Sequence, residues 1–349
     1  MFVFIAFPVY PVMLFPLFLF AMIALAWLFP GPGAAEGPFS LHEATNYGVS
    51  IIFLLYGIGL SPRQFRDGLS NLRLHLLVHS STFLLFPLLA LIGYAVFAND
   101  ANRPIWAGIF YLAILPSTVS SSVVFVVLAR GNIPAAVFNA SLSGLIGIVL
   151  TPLWWALFPG GNPGLLSPDG NAGGAFDDTF NGTFDPLSAI VSLTVLIVLP
   201  IVLGILLNAK LGDWVERHRR RLRLFDQSVI MLIVYCSFSR SFVQRSFDGF
   251  GLMEILFLAV GMILIFFLVY GTIALIARLL RFSKEDTITA TFCGSKKSLM
   301  HGTVMGKVLL AGMSGPGVIL LPLMLYHALQ LLIVGVIAFR SARNDDRRD

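Results

Sequence analysis

Charged residues are scarce in this chain of 349 residues: only 12% are Asp, Glu, Lys or Arg, whereas 57% are hydrophobic. The mean hydropathy is accordingly high, at +0.87. This scarcity excludes a soluble fold, because a chain of this length could not keep so much apolar surface out of water. The composition predicts an integral multi-pass membrane protein, in the plasma (inner) membrane if the source is bacterial.

Cysteine is almost absent as well. The two residues, Cys236 and Cys293, both fall within apolar segments, which excludes a disulfide framework. The net charge of +5 does not indicate a nucleic-acid partner, because the basic run Arg217 to Arg223 is explained as a topology signal beside anionic lipid. We therefore expect contacts with membrane lipids and none with nucleic acid. The sequence carries no signal for an oligomeric state.

Long apolar runs are abundant, and they do not alternate as the strands of an outer-membrane barrel do. Each run has roughly 20 residues, which is the length that a helix needs to cross a bilayer. The fold class is therefore an all-α polytopic membrane protein. The ten predicted spans are 8–30, 42–60, 74–97, 104–130, 132–158, 186–208, 225–243, 251–279, 286–311 and 314–339.

The distribution of basic residues predicts the orientation of these spans, because cytoplasmic loops collect Lys and Arg. With both termini in the cytoplasm, 17 of the 23 basic residues lie in inner segments and only 3 lie outside. The other 3, Lys296, Lys297 and Lys307, fall inside the ninth span. We expect Lys307, near the end of that span, to reach the outer interface with its long side chain.

The polar stretch 159–185 divides the chain into two sets of five spans. Because five is odd, the second set must be inserted upside down relative to the first. The predicted organisation is thus a first five-helix repeat (1–158), an outer polar loop (159–185), an inverted five-helix repeat (186–340) and a cytoplasmic tail (341–349).

In each half, small polar residues interrupt the fourth span. The interruption in span 4 comprises Ser117, Thr118, Ser120, Ser121 and Ser122, and that in span 9 comprises Cys293, Gly294, Ser295, Lys296, Lys297 and Ser298, with His301 one turn beyond. Matching interruptions in inverted halves indicate the binding site of a secondary transporter. Ionisable residues at membrane depth point the same way, since their burial is costly.

Four stretches carry a family resemblance, in the order GIGLSPRQFRDGLSN, LPSTVSSSVVFVVLARGNIPAAVFNASLSGLIGIVLTPL, FCGSKKSLMHGTVMGKVLLAG and LLPLMLYHALQLL. They resemble the bile acid/sodium symporter family, and in particular its SBF-like branch, over nearly the whole chain. The resemblance implies a ten-helix fold in which discontinuous spans 4 and 9 cross. It also implies a core of spans 3–5 and 8–10 that moves against a panel of spans 1, 2, 6 and 7.

The resemblance further implies where a coupling Na⁺ would bind. The family's ligand positions in spans 3, 4 and 5 fall on or beside His79, Thr82, Ser121, Ser122, Ala136, Asn139, Ala140, Ser141 and Ser143. These positions imply a Na⁺ site near Ser121, Ser122 and Asn139. No other cofactor is implied.

Span 9 departs from the family pattern. The family's carboxylate position is Phe292 or Cys293 here, and its glutamine–asparagine pair becomes Lys296 and Lys297. No acidic residue occurs from Thr287 to Gly312, although a hard cation prefers oxygen ligands with some negative charge. We therefore hypothesise that one of the two lysines replaces a sodium ion. A buried lysine gives up its proton readily, so coupling to H⁺ is as open as coupling to Na⁺. A purely structural role for both lysines is the alternative.

The predicted function is secondary active transport of a small, anionic organic solute by alternating access, because two lysines and half-helix N-termini face the expected cavity. One alternative is a non-transporting membrane regulator of ion (calcium) homeostasis with the same fold, a role that vertebrate relatives in the SBF-like branch suggest. An enzyme is not expected. The sequence Gly312-Met313-Ser314-Gly315 has the form of a serine-protease motif, but His327 lies about 20 Å away along one helix, beyond hydrogen-bond reach.

Overall fold

The computed structural model describes residues 10–35, 37, 40–60, 71–99, 102–118, 120–158, 185–248, 251–311, 313 and 315–345. No β-strand occurs within these ranges. The helices are α1 (Tyr10–Leu28), α2 (Pro30–Ala34), α3 (Leu41–Gly59), α4 (Leu72–Phe97), α5 (Arg103–Ile114), α6 (Ser120–Leu128), α7 (Ile133–Ala156), α8 (Pro186–Val243), α9 (Leu252–Leu279), α10 (Lys284–Gly294), α11 (Leu299–Leu309) and α12 (Pro316–Asp345).

Five of the described helices are long and apolar enough to cross a membrane: α4, α7, α8, α9 and α12. The chain is therefore an integral membrane protein. Spans 4 and 9 do not count among the five, because each is divided into two helices of 9 to 12 residues. Most of the predicted outer loop 159–185 lies outside the described residues, as do the inner residues Arg63 and Arg66.

Polar side chains at the helix starts fix several helix boundaries. Ser40, Asn71, Asn132 and Ser283 each accept a backbone N–H from the first turn of the helix that follows. Such caps satisfy donors that have no partner inside the helix. At the C-terminal side, helix α12 continues to Asp345. The cytoplasmic tail expected from residue 341 therefore begins as a helix.

The segment 209–224 between predicted spans 6 and 7 is helical, and α8 continues through it without a break. The stretch is rich in Arg, Leu and Glu, which favour helix, and Arg219 pairs with Glu216 one turn away at 3.2 Å. Nevertheless α8 bends. The backbone at Ile201 lies against Gly57, and the side chain of Val215 lies against Gly59, only two residues further along α3. In a straight helix Ile201 and Val215 would be about 21 Å apart. The two predicted spans thus belong to one bent helix.

The described helices form two groups. Helix α8 packs on α1, α2 and α3, most extensively on α3, and we call these four the α8 group. Helices α4 to α7 and α9 to α12 pack chiefly among themselves, and we call them the crossing group. Glycines permit the closest approach within the α8 group, since a Cβ atom at Gly57 would overlap the carbonyl oxygen of Ile201.

Candidate functional site

Two helix breaks meet inside the crossing group. Helix α5 ends at Ile114, before Pro116, whose ring cannot donate a backbone hydrogen bond, and α10 ends at Gly294. The Ser298 N–H donates to the Pro116 carbonyl at 2.9 Å. The Ser117 hydroxyl donates to the Cys293 carbonyl at 2.5 Å. The interruptions found in the sequence therefore bind each other directly.

Lys297 lies at the centre of this contact and is fully buried. Its Nζ donates to three backbone carbonyls, those of Thr82 at 2.8 Å, Ala113 at 2.6 Å and Leu115 at 2.8 Å. The ammonium also lies 4.2 Å from the centre of the Phe86 ring, a cation–π distance. All three donors of the ammonium group thus have acceptors, and none of these acceptors is a side chain.

The carbonyl of Thr82 is free because α4 contains a π-helical turn, Ser81–Leu85. The Phe86 N–H donates to Ser81 at the end of this turn, and the next residue, Pro87, has no N–H to donate to Thr82. The carbonyl of Phe83 accepts a hydrogen bond from outside the helix, from the Trp154 indole N–H at 2.9 Å. π-Helical turns of this kind are frequent at functional sites.

Side chains from neighbouring helices satisfy the other backbone groups at the breaks. The Gln330 amide accepts from the Lys297 N–H at 2.9 Å and donates to the Lys297 carbonyl at 2.8 Å. The Tyr326 hydroxyl donates to the carbonyl of Ser295, and that of Tyr111 donates to the carbonyl of Gly302. Sequence reasoning missed these residues, although Gln330 stands out as a lone amide in the apolar run LLPLMLYHALQLL.

Lys296 is equally buried but has different surroundings. Its Nζ donates to the Ser121 hydroxyl at 2.9 Å and lies 4.6 Å from the centre of the Phe125 ring. The Ser121 hydroxyl in turn donates to Thr118, which shares a hydrogen bond of 2.7 Å with Ser122. The two adjacent lysines therefore bind opposite sides of the crossing, Lys297 the end of α5 and Lys296 the start of α6.

The remaining predicted site residues are distributed around the crossing. Ser143 accepts from the Ser117 N–H at 2.9 Å, and Ser298 shares a hydrogen bond of 3.0 Å with the His301 ring. Gly294 packs on Ile273. Ser120 begins α6, but its side chain lies outside the described part of the chain.

His79 and Asn139 do not reach the crossing contacts. The His79 ring stacks on Phe83, and neither of its nitrogens has a partner among the described residues. The Asn139 amide is bonded to the His75 ring at 3.1 Å and to the Ala135 carbonyl at 2.8 Å. These bonds leave one acceptor lone pair for a metal ion. The carbonyls of Thr82, Ala113 and Leu115 are occupied by the Lys297 ammonium, whereas the Na⁺ expected near Ser121, Ser122 and Asn139 stays a prediction.

Two cavities lie between the α8 group and the crossing group. One, of about 260 Å³, is almost wholly apolar and is lined by Ile197, Ile201 and His301. The other, also of about 260 Å³, has Arg219, Arg223 and Asp226 at its wall. Both share Tyr56 and Ser141, whose hydroxyls are hydrogen bonded at 3.0 Å.

At the other end of α11, Lys307 also joins the two groups. Its Nζ donates to the Thr45 hydroxyl, the Asn46 amide oxygen and the His42 carbonyl, all at the start of α3. Oxygen acceptors within the protein therefore bind the Lys307 ammonium, and its expected position at the outer interface stays a prediction. The cavity beside it measures only about 60 Å³.

The protease-like motif receives no support from its neighbours. Gly312 and Ser314 lie outside the described residues, and the His327 ring shares a hydrogen bond of 2.9 Å with Gln330.

Comparison with known proteins gives a match over almost the entire chain. The pattern of the SBF-like CPA transporter family matches residues 14–343. An uncharacterised protein of Pseudomonas aeruginosa is 40% identical over 95% of this chain and 93% of its own. The putative symporter YfeH of Escherichia coli is 35% identical over 95% and 94%, and sodium/bile acid cotransporter 7 of Rattus norvegicus is 29% identical over 90% and 88%. The chain therefore belongs to the SBF-like CPA transporter family.

Proposed function

We propose that the protein is a secondary active transporter of a small anionic organic solute, working by alternating access and coupled to Na⁺ or H⁺. One observation carries the proposal: two broken helices of a membrane protein contact each other at their breaks, with Lys297 buried between them. Broken backbone at membrane depth is tolerated only where protein or a water-filled cavity satisfies it. Two relatives, named a putative symporter and a sodium/bile acid cotransporter, support the same activity.

The solute binds between the α8 group and the crossing group, where the two cavities lie. Their walls are mostly apolar, and the second cavity also carries the guanidinium groups of Arg219 and Arg223. We call it the inner cavity, because both arginines belong to a predicted cytoplasmic segment. Apolar walls with a few polar groups that fix orientation are typical of small-molecule sites. The basic residues favour an acidic solute, and the apolar walls favour one with a hydrocarbon part.

The proposed movement changes the contact between the two groups. Helix ends joined through Lys297 belong to a single body, the crossing group, whereas the bonds Tyr56–Ser141 and Lys307–Thr45 join the two groups. Alternating access requires the bonds between the two groups to break while the bonds of Lys297 within the crossing group persist. The proposal includes ten spans in two inverted repeats, with both termini in the cytoplasm.

Uptake into proteoliposomes tests the proposal across many anions at once. Vesicles containing the purified protein are incubated with a defined mixture of carboxylates, sulfonates and organic phosphates, and the trapped anions are measured by mass spectrometry. We expect at least one anion to accumulate above the level in protein-free vesicles, and Lys297→Gln to abolish the difference. Lys210→Gln, at an exposed lysine of α8, is the matched control. Equal contents in wild-type and protein-free vesicles would overturn the proposal in favour of a regulator without flux.

A further inference from the structure

The three carbonyls around Lys297 have the chemistry of a binding site for a monovalent cation. Two of them, Ala113 and Leu115, lie at the C-terminal end of α5, where the helix dipole is negative. The third comes from the π-helical turn at Thr82. Backbone carbonyls that replace the hydration shell of an ion are the donors that potassium channels use. The face of the Phe86 ring completes the surroundings.

Within the part of the chain that the structure describes, Lys297 provides the donors to these carbonyls, and neighbouring backbone groups bond elsewhere. Ser117, which would continue α5 and donate to Ala113, donates instead to the Ser143 hydroxyl. The carbonyl of Ile114, which lies between Ala113 and Leu115 in the chain, accepts from the Thr151 hydroxyl. Without the Lys297 ammonium, three buried carbonyls would therefore lack partners in a region without bulk water, at a cost of about 1 to 3 kcal/mol each.

Lys296 does not provide an equivalent site. Its described hydrogen bond goes to one hydroxyl, Ser121, which can donate as well as accept. Ser121 is also partly exposed, whereas Thr82, Ala113 and Leu115 are buried. Of the two adjacent lysines, Lys297 is therefore the one whose described acceptors are converging backbone carbonyls.

We infer that Lys297 is a tethered cation that fills a monovalent-cation site formed by the carbonyls of Thr82, Ala113 and Leu115, and that this site binds a free cation once the side chain is removed. The inference rests on the proposed function in one respect: a transporter that carries its own cation at the crossing does not need Na⁺ there. Na⁺, K⁺ and methylammonium are the class of ligand for the emptied site.

Unfolding of the purified protein in detergent tests the inference. The midpoint is measured against the concentration of NaCl, KCl or methylammonium chloride, with choline chloride holding the ionic strength constant. Lys297→Ala should unfold at a lower temperature than wild type and should regain stability as small cations are added. A cation that binds only the folded state raises the midpoint with the logarithm of its concentration, by about 2 °C per tenfold increase for a chain of this size. Wild type, whose carbonyls are occupied by Lys297, should not respond to K⁺ or methylammonium.

Three further variants separate a specific site from a general salt effect. Lys297→Met fills the same space without charge and should respond to no cation more strongly than wild type does. Lys296→Ala should not respond either, since its ammonium has no such set of carbonyls. Lys297→Gln serves if the alanine variant does not fold, because its amide leaves at least one carbonyl free for an added cation.

An alanine or glutamine variant that responds to all three cations no more strongly than wild type would overturn the inference, and so would a wild-type midpoint that rises with K⁺ or methylammonium as steeply as that of the alanine variant. Neither result depends on flux. Absence of uptake would overturn the proposed function while the cation response of the variant persisted, so the two failures are distinguishable.

Discussion

Pro87 lies five residues after Thr82, and its missing N–H leaves the Thr82 carbonyl to Lys297. In a π-helical turn each N–H donates five residues back, as Phe86 does to Ser81. The following N–H would belong to Pro87 and would donate to Thr82, but proline has none. A single residue type in one helix thus creates an acceptor for a side chain 215 residues away along the sequence.

The same principle governs the whole crossing: a local break frees backbone groups, and distant side chains satisfy them. The carbonyl of Pro116 accepts from Ser298, and that of Cys293 accepts from Ser117. Because each broken helix depends on the other, neither break is stable alone. The crossing should therefore be among the most cooperative parts of the fold.

Gln330 provides the first test of this dependence. Gln330→Met keeps the volume but removes the acceptor for the Lys297 N–H and the donor to the Lys297 carbonyl. Two buried backbone groups then lose their partners, so we expect a loss of about 2 to 4 kcal/mol in the free energy of unfolding. Denaturant unfolding in detergent measures it. Gln227→Met, at a half-buried position of α8, should stay within about 0.5 kcal/mol of wild type. Equal losses in both variants would contradict the assignment.

The breaks could be predicted from the sequence, whereas their connections could not. Small polar residues and two lysines interrupt apolar runs, and this pattern has few explanations within a membrane. The partners of Lys297 are backbone carbonyls, however, and no side chain reveals them. Similarly, nothing in the sequence separates Lys296 from Lys297, because only the packing of α4 and α5 determines which ammonium meets free carbonyls.

The segment between predicted spans 6 and 7 shows a different limit of sequence-based prediction. Basic residues from Lys210 to Arg223 indicate which side of the membrane a segment faces, but they favour a helix rather than end one. These basic residues therefore predict the side of the membrane on which the segment lies, but they do not predict where α8 ends. The role of Gln330, by contrast, could have been predicted from the sequence, because a lone amide in an apolar run indicates a buried hydrogen bond.

Arg245 offers a test of backbone strain. With φ of 53° it has a left-handed conformation directly after α8, and the Ser246 N–H closes the helix end by donating to Ser241. Because glycine adopts this conformation without a steric penalty, Arg245→Gly should raise the free energy of unfolding by about 0.5 to 1 kcal/mol. The same substitution inside the helix, Lys210→Gly, should lower it by about 1 kcal/mol. Thermal unfolding of both variants and wild type measures these changes. A loss of stability in both variants would refute the prediction.

Lys307 should control access from the outer side. Lys307→Met removes the bonds that join α11 to the start of α3. Charged hydrogen bonds contribute about 1.5 to 3 kcal/mol, so the open state should gain at least about tenfold in population. Cys236 lines the small cavity there and is buried. In a Cys293→Ala background, its labelling by a membrane-impermeant thiosulfonate added outside should accelerate by a similar factor.

Lys210→Met is the control for that experiment, because it removes a lysine of α8 that is exposed and lies at the predicted inner side. Its labelling rate should equal that of the parent. An unchanged rate in Lys307→Met, or the same acceleration in both variants, would show that the Lys307 contacts do not hold the outer side closed.

Arg223 and Asp226 should affect an anionic solute in opposite directions. Both line the inner cavity, and one oxygen of Asp226 has no hydrogen-bond partner among the described residues. Loss of a charged hydrogen bond in Arg223→Gln should weaken binding of the transported anion about 10- to 100-fold. Asp226→Asn removes a like charge from the same wall and should tighten binding. Arg220→Gln, on an exposed position of the same helix, changes the net charge equally and should leave affinity unchanged. The concentration dependence of uptake in proteoliposomes measures all three, and weaker binding in Asp226→Asn would mean that the solute also carries a positive group, against the anionic class proposed for it.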